Sequence, residues 1–400
     1  MNKHDVVMMG LGYIGLPTAS LIASKKINVL GVDIKPKVIE TINKGKIHIV
    51  EPDLEDLVNH VVNKGYLEAS ITPEPADVYI ITVPTPVRED NQPDVSYVES
   101  ATRSIIPHLK EGDLFIIEST SPVGTTEKMQ KLIYAERPEL KEKIFMAYCP
   151  ERVLPGNIIY ELEHNDRAIG GIDKKSTQKA IDFYKQFVKG DLYPTNARTA
   201  EMVKLVENSS RDVQIAFANE LSIISDKAGI NVWELIELAN KHPRVNILRP
   251  GTGVGGHCIA VDPWFIVSEF SKEARLIRTA REINNYKTEW VIEKVKNTAL
   301  QFEIKHKRKP IIATMGLAFK PDIDDLRESP SLYVARSLKM QGFDIIAVEP
   351  NIKNSDEFEL QPAEKAVKTA DIIAFLVGHK EFKTLKLPEN KIILDFVNIK

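Results

Sequence analysis

Val6-Val7-Met8-Met9-Gly10-Leu11-Gly12-Tyr13-Ile14-Gly15 passes from four apolar residues into three spaced glycines, and an uncharged stretch continues to Ser24. An apolar run, a glycine turn and a helix make the opening of a βαβ unit. Asp33 closes the next apolar run, Val29–Val32, eighteen residues beyond Gly15. In such a unit the first glycine makes the tight turn, the second admits a diphosphate, and the third lets the helix pack closely. The helix N-terminus then faces phosphate with its positive end. Asp33 is placed to accept a ribose 2′-hydroxyl and would repel a 2′-phosphate, so the cofactor expected is NAD; Lys35 and Lys37 temper that preference. Gly10, Gly12, Tyr13, Ile14, Gly15 and Asp33 are the expected cofactor residues.

The same uncharged run, Val6–Ser24, resembles a signal peptide or a membrane span. Three glycines and Pro17 interrupt it, and a strand, turn and helix explain it better. No membrane association is expected.

Working outward, further short apolar runs stand at Val78–Val83, Leu114–Ile117 and Ile144–Ala147. They lack polar alternation, as strands covered by helices on both faces do. From Thr199 to Asp226 the pattern turns helical, and Ile230–Asn240 and Ala274–Thr298 continue it around a glycine-rich loop at 251–256. Strand character returns at Ile311–Met315, Ile345–Val348, Ile372–Val377 and Ile392–Phe396, after a basic stretch, Lys305–Lys309, that reads as a linker or a solvated helix end. Met9-Gly-Leu-Gly is echoed by Met315-Gly-Leu-Ala, and each precedes a strand that ends in an acid, Asp33 or Glu349. The expected fold is α/β, with two Rossmann-like domains of parallel-type sheet joined by a central helical domain. The expected division is 1–198, 199–304 and 305–400, and the central helices suggest a homodimer or a dimer of dimers.

Lys and Arg together number 53 against 56 Asp and Glu, which leaves no basic excess for a nucleic-acid backbone. The two cysteines, Cys149 and Cys258, are too few for a disulfide scaffold and lack the spacing of a metal site. They suit a reducing cytoplasm, and no metal is expected.

One of them stands in a marked setting. Gly251, Gly253, Gly255 and Gly256 precede His257-Cys258, and Asp262 follows four residues on. Glycines there let backbone approach a ligand, which turns Cys258 from a small buried hydrophobe into a candidate nucleophile. Cys149 keeps the bland reading of an inert core residue. Lys204 and Asn208 lie one helical turn apart; taken alone, Lys204 is a surface charge paired with Glu201 or Glu207. Thr82–Pro86, Ser119–Gly124 and Pro150-Glu151-Arg152 lie at strand ends, where open α/β sheets bind ligands. Lys320 and Arg327 follow the first strand of the last domain, where a nucleotide phosphate is expected.

Six motifs occur in order: GLGYIGLP at 10–17, STSPVGTT at 119–126, YCPERVLPG at 148–156, TAEMVKLVENS at 199–209, GVGGHCIAVDPWF at 253–265 and GLAFKPDIDDLRESP at 316–330. Together they resemble the UDP-glucose/GDP-mannose dehydrogenase family across nearly the whole chain. The variants HIVEPDL at 48–54 and NKHPRVNI at 240–247, with His257 and Ile259-Ala260-Val261, look most like the bacterial branch acting on UDP-N-acetyl-D-mannosamine.

The resemblance implies oxidation at C6 to the carboxylate by two NAD, for surface polysaccharide synthesis. Cys258 captures the aldehyde and passes through a thiohemiacetal to a thioester, while Lys204 and Asn208 stabilise the oxyanion. Asp262 acts as base or holds water, Thr120 positions that water, and Glu151 is the base for thioester hydrolysis. By the same resemblance Thr85 and Thr120 border the cofactor. Arg152, Arg211, Gly255, His257, Lys320 and Arg327 meet the substrate together with Glu151, Lys204 and Asn208, and Arg244 reaches it across a dimer interface. Family members acting on UDP-glucose carry serine at the position of His257 and Phe-Pro-Lys at 259–261, which argues against glucose. The alternatives kept open are the same chemistry on UDP-N-acetylglucosamine or UDP-glucose, a single-step β-hydroxyacid dehydrogenase, and a non-catalytic NAD sensor.

Overall fold

The structure, a computed structural model, describes residues 3–154 and 156–399. Positions 1, 2 and 400, included in the expected domain ranges, and Pro155 of the 148–156 motif lie outside the described residues. The chain divides into two compact units, Met1–Glu207 and Asn208–Lys400.

The first unit is built on an eight-stranded sheet of β1 (Val6–Met9), β2 (Val29–Val32), β3 (Leu67–Ser70), β4 (Val78–Ile81), β5 (Leu114–Ile117), β6 (Phe145–Tyr148), β7 (Arg167–Gly171) and β8 (Leu192–Asn196). Their order is β3-β2-β1-β4-β5-β6-β7-β8, and every pair is parallel except β6 with β7. Successive side chains of a strand point to opposite faces. Val6 and Met8 accordingly join the core on one side of the sheet, with Leu16, Ile22 and Ile116, while Val7 and Met9 join the other, with Tyr79, Phe115 and Ile117. The chain reverses its direction of winding between β1 and β4, which opens a crevice at their carboxyl ends.

The second unit repeats the plan with β9 (Ile311–Met315), β10 (Asp344–Val348), β11 (Ile372–Phe375) and β12 (Ile392–Asp395), all parallel in the order β10-β9-β11-β12. Ile312, Ile372 and Ala374 pack on one face, and Ala313, Met315, Ile373 and Phe375 on the other. Helices Val232–Ala239, Asp262–Glu269 and Arg275–His306 precede this sheet, and the long helix Ala197–Ala228 runs through the boundary between the units. Asn231 caps its helix, its side chain accepting from the N–H of Trp233 at 2.9 Å.

Three strands escaped the sequence reading. β3 alternates buried with exposed residues, β7 opens on a buried arginine and ends on two glycines, and β8 is a largely exposed edge carrying Pro194. The basic stretch 305–309 is the end of helix Arg275–His306 and the turn into β9, with Arg308 bound in two places to Asp371 at 2.7 Å. The uncharged run Val6–Ser24 is β1, the glycine turn and helix Gly15–Ser24, and no helix among the described residues is long and apolar enough to cross a membrane.

Candidate active site

Gly10 stands at φ +97°, a left-handed conformation that favours glycine, and its N–H reaches Val32 O at 2.8 Å. A side chain at Gly15 would strike the carbonyl of Gly10, so this glycine serves the packing of helix on turn. Gly12 differs, because nothing in the protein lies within 4 Å of where its Cβ would be. The open side of Gly12 fits a ligand backbone approaching the turn. Tyr13 is 39% exposed and Ile14 half-buried beside it. Asp33 Oδ2 accepts from Leu11 N–H at 3.1 Å and Oδ1 from Lys35 N–H at 3.0 Å. The carboxylate is held at the lip of the turn without being enclosed. His48, which sequence reasoning passed over, hydrogen-bonds the backbone of Leu11 near Asp33. Partial burial holds its pKa below the ordinary value, against the pull of the Asp33 charge. Its only signal was membership of the 48–54 motif.

The neighbouring strand ends are tied together. Thr82 Oγ1 donates to Gly10 O at 2.8 Å, Ser119 Oγ to Val83 O at 2.7 Å, and Thr85 Oγ1 to Thr120 O at 2.5 Å. Glu151 and Lys204 meet: Lys204 Nζ donates to Glu151 Oε1 at 2.8 Å and to Glu151 O at 3.0 Å, and Lys204 is 7% exposed. This corrects the surface-charge expectation for Lys204. Glu201 instead binds Gly124 N–H at 2.6 Å and Thr126 N–H at 2.8 Å, and Glu207 takes Arg152 at 2.7 Å. The reason is burial, since a lysine shut off from water needs a carboxylate in direct contact. Glu51, also missed, accepts from Gly156 N–H at 2.9 Å and Ile158 N–H at 2.8 Å and so fixes the far end of the segment that starts at Glu151.

In the second unit Cys258 is half-buried in a turn whose carbonyl accepts the N–H of Val261 at 3.0 Å and of Asp262 at 2.8 Å. Asp262 opens helix Asp262–Glu269, is 3% exposed, and accepts from Asn208 Nδ2 at 2.5 Å. The glycines before Cys258 make close approach possible, but to protein. A side chain at Gly255 would strike Glu328 O, and one at Gly256 would meet the Phe319 ring at 2.9 Å. Close packing on protein occupies Gly253, Gly255 and Gly256, whereas a side chain at Gly251 would come no nearer than 4.0 Å, to Gly253 O. Gly256 N–H donates to Arg327 O at 3.2 Å, and Thr252 Oγ1 to Leu376 O at 2.6 Å. The cysteine turn is thus seated on the strand ends of the second sheet.

Lys320 is exposed, and Arg327 pairs with Asp325 at 2.6 Å. Burial opposes the Asp325 charge, but Arg327 and nearby His257 hold its carboxyl below the ordinary range. Arg211 lies exposed on the long helix. Arg244 is exposed at a cavity of about 460 Å³ whose apolar walls include Val213, Phe217, Leu276 and Ile283, and whose lining does not include the Cys258 turn. Cys149 is fully buried, and burial pushes its thiol up to about 11, the inert behaviour expected of it.

Models of the UDP-glucose/GDP-mannose dehydrogenase family match the chain in three consecutive segments: the NAD binding domain over 4–188, the central domain over 198–286 and the UDP binding domain over 313–400. The chain is 54% identical to UDP-N-acetyl-D-mannosamine dehydrogenase of Campylobacter jejuni, over 98% of this chain and 99% of that one. It is 51% identical to NDP-N-acetyl-D-galactosaminuronic acid dehydrogenase of Ralstonia nicotianae, over 99% and 96%. The solved structure of UDP-D-ManNAc dehydrogenase from Pyrococcus horikoshii matches with a TM-score of 0.89 at 40% identity, covering 99% of this chain and 96% of that one. A non-catalytic NAD sensor and a single-step β-hydroxyacid dehydrogenase are thereby set aside. The chain belongs to the UDP-glucose/GDP-mannose dehydrogenase family and is an NAD-dependent enzyme.

Proposed function

We propose that this enzyme oxidises UDP-N-acetyl-D-mannosamine at C6 to UDP-N-acetyl-D-mannosaminuronate in two steps, with Cys258 carrying the second as a thioester. The observation that carries this reading is the Cys258 turn, with the cysteine half-buried and its carbonyl tied to Asp262, a buried acid held by Asn208. A whole-length relative at 54% identity supports the sugar, and the UDP binding domain match supports the nucleotide.

The reading divides the chain functionally into an NAD-binding part at 1–198, a central part at 199–304 and a UDP-binding part at 305–400. The open side of Gly12 and the lip-held carboxylate of Asp33 fit a dinucleotide, with Tyr13, Ile14, Thr85 and Thr120 bordering it. NAD, when bound there, would supply the hydride acceptor for each of the two oxidations at C6. Asp262, with a water positioned by Thr120, takes the hydroxyl proton in the first oxidation. The Cys258 thiolate then adds to the aldehyde carbon, and the carbonyl oxygen takes up a proton to give the thiohemiacetal. Loss of hydride and of that proton leaves the thioester, which water cleaves to carboxylate and free thiol, with Glu151 accepting the water's proton. Lys204 and Asn208 stabilise negative charge on the C6 oxygen. Lys204 already touches Glu151, so the ammonium that steadies the oxyanion also holds the base in place.

Arg152, Arg211, Gly255, His257, Lys320 and Arg327 serve substrate binding in this reading. Arg244 serves it from a second copy, since Phe217, Leu276 and Tyr286 leave helix faces 51%, 68% and 58% exposed in one chain. We read the enzyme as a cytoplasmic homodimer or dimer of dimers whose product feeds surface polysaccharide synthesis.

A second reading keeps the chemistry and changes the sugar to an N-acetylgalactosamine nucleotide, favoured by the 51% identical relative. Counting NADH formed per nucleotide sugar consumed separates the readings. UDP-N-acetylmannosamine, UDP-N-acetylgalactosamine, UDP-N-acetylglucosamine and UDP-glucose are offered in turn. Two NADH with the manno sugar alone is expected, and two with another sugar overturns the substrate only. One NADH with accumulating aldehyde overturns the thioester. Cys258→Ser should lower uronate formation at least about a thousandfold, because an alcohol is a far weaker nucleophile than a thiolate.

A further inference from the structure

His379 follows β11, is fully buried, and is used by no step above. Its Nδ1 lies 3.0 Å from the backbone N–H of Asp322 and 3.0 Å from Asn351 Nδ2. A backbone N–H can only donate, so Nδ1 is the acceptor and the ring proton sits on Nε2. Nε2 faces Glu349 Oε2 at 3.0 Å and donates to it. The same carboxylate oxygen takes Leu317 N–H at 2.8 Å and Ala318 N–H at 2.9 Å, while Oε1 takes Asn351 N–H at 3.0 Å. Asp322 is in turn held from its side chain, with Oδ1 accepting the N–H of Lys380 at 3.0 Å.

Asp322, His379 and Glu381 lie close enough to suggest a metal site, but the lone pair that Nδ1 would offer already accepts the Asp322 N–H. What the cluster holds is backbone. Asp322 has φ +61° and Glu328 φ +50°, left-handed values that a non-glycine residue keeps only when its surroundings impose them. Between these two residues lies Arg327, whose carbonyl receives the N–H of Gly256, two residues before Cys258.

We propose that His379 is a positioning residue: its neutral, Nε2-protonated ring pins Asp322 and so sets the 318–328 loop that holds the nucleotide end of the substrate. The proposal rests on the reading above in which Lys320 and Arg327 meet the UDP moiety. Glu349 orients the ring, the ring orients the loop, and the loop seats the Cys258 turn through Gly256.

The test is a pair of substitutions of opposite geometry, with UDP as the probe. Asparagine at 379 returns an acceptor oxygen near the position of Nδ1, whereas glutamine places its amide near that of Nε2. His379→Asn should keep UDP affinity within a few-fold, and His379→Gln should weaken it about tenfold, the release of some 1.4 kcal/mol of backbone restraint. NAD affinity should hold in both, and kcat/KM for the sugar nucleotide should fall more than kcat. Nitrogen NMR of ¹⁵N-histidine-labelled wild-type protein should show the Nε2-protonated tautomer, with Nδ1 as the acceptor.

Equal UDP affinity in wild type and variants overturns the proposal, as does a loss shared by NAD or an Nδ1-protonated ring in the wild type. If the wild type itself does not bind UDP, the functional reading fails and the proposal with it. If the wild type binds and the variants do not differ, only the proposal fails.

Discussion

The two glycine turns of this chain begin alike and end in opposite conditions. Gly10 and Gly316 stand at φ +97° and +94°, and each N–H reaches the end of the adjacent strand, Val32 O or Val348 O, at 2.8 Å. In each, the N–H of the next leucine points at an acid, Leu11 at Asp33 and Leu317 at Glu349. Asp33 is half-buried and makes two backbone hydrogen bonds, whereas Glu349 is 4% exposed and is surrounded by three N–H groups and His379. An acid that is to hold a ribose must keep an oxygen facing solvent. Half-buried Asp33 keeps that capacity and Glu349 does not, so the same backbone plan suits the acid to a ligand in one unit and makes it an internal brace in the other.

The sharpest way to break this comparison is Gly12→Val. Since no protein atom opposes a side chain there, the variant should keep its unfolding midpoint while NAD affinity falls at least about a thousandfold, or 4 kcal/mol. NAD binding at wild-type strength, read by fluorescence titration, would remove the ligand-imposed account of Gly12. Next in size, Glu349→Ala should cost about 3 kcal/mol in urea unfolding, because buried Leu317 and Ala318 N–H groups and His379 lose their acceptor. Asp33→Ala should cost less, about 1 to 2 kcal/mol by the same assay, because only one buried N–H, that of Leu11, loses its acceptor while exposed Lys35 can turn to water. Asp33→Asn should instead weaken NAD about tenfold and leave UDP binding as it was.

The smallest effect is in pH. Burial opposes the Glu349 charge, but His379 and the loop N–H groups outweigh it and hold the carboxyl below its ordinary 4.5. Its contribution to stability is therefore fully present above 4.5 and is lost as pH falls through the lowered folded-state value. The stability gap between wild type and Glu349→Gln should narrow over that acid range, and a gap that widens would contradict the sign.

Much of this was legible in the sequence, and the limits have physical causes. β1, β2, β4 and β5 are apolar on both faces because helices cover both, so composition alone marked them. β7 hides behind Arg167, whose buried guanidinium faces Glu118 at 3.5 Å; a sequence shows the charge but not the partner. The Cys258 turn was legible because glycines, thiol and acid sit within twelve residues of one another. Lys204 with Glu151, and His379 with Glu349, are pairs made across 53 and 30 residues, the first between a helix and a strand end and the second between two strand ends of one sheet, and no local pattern records them. The duplication was visible as a repeated Met-Gly-Leu. That one copy had been closed by a histidine was not.

The contrast between the two sulfur atoms has a practical consequence. With Cys149 sealed in the first unit's core and Cys258 half-buried in its turn, the native chain behaves as a singly addressable scaffold. A maleimide dye or a nitroxide attached to untouched protein should report from one address, the turn proposed to meet the sugar, with no background cysteine to engineer away.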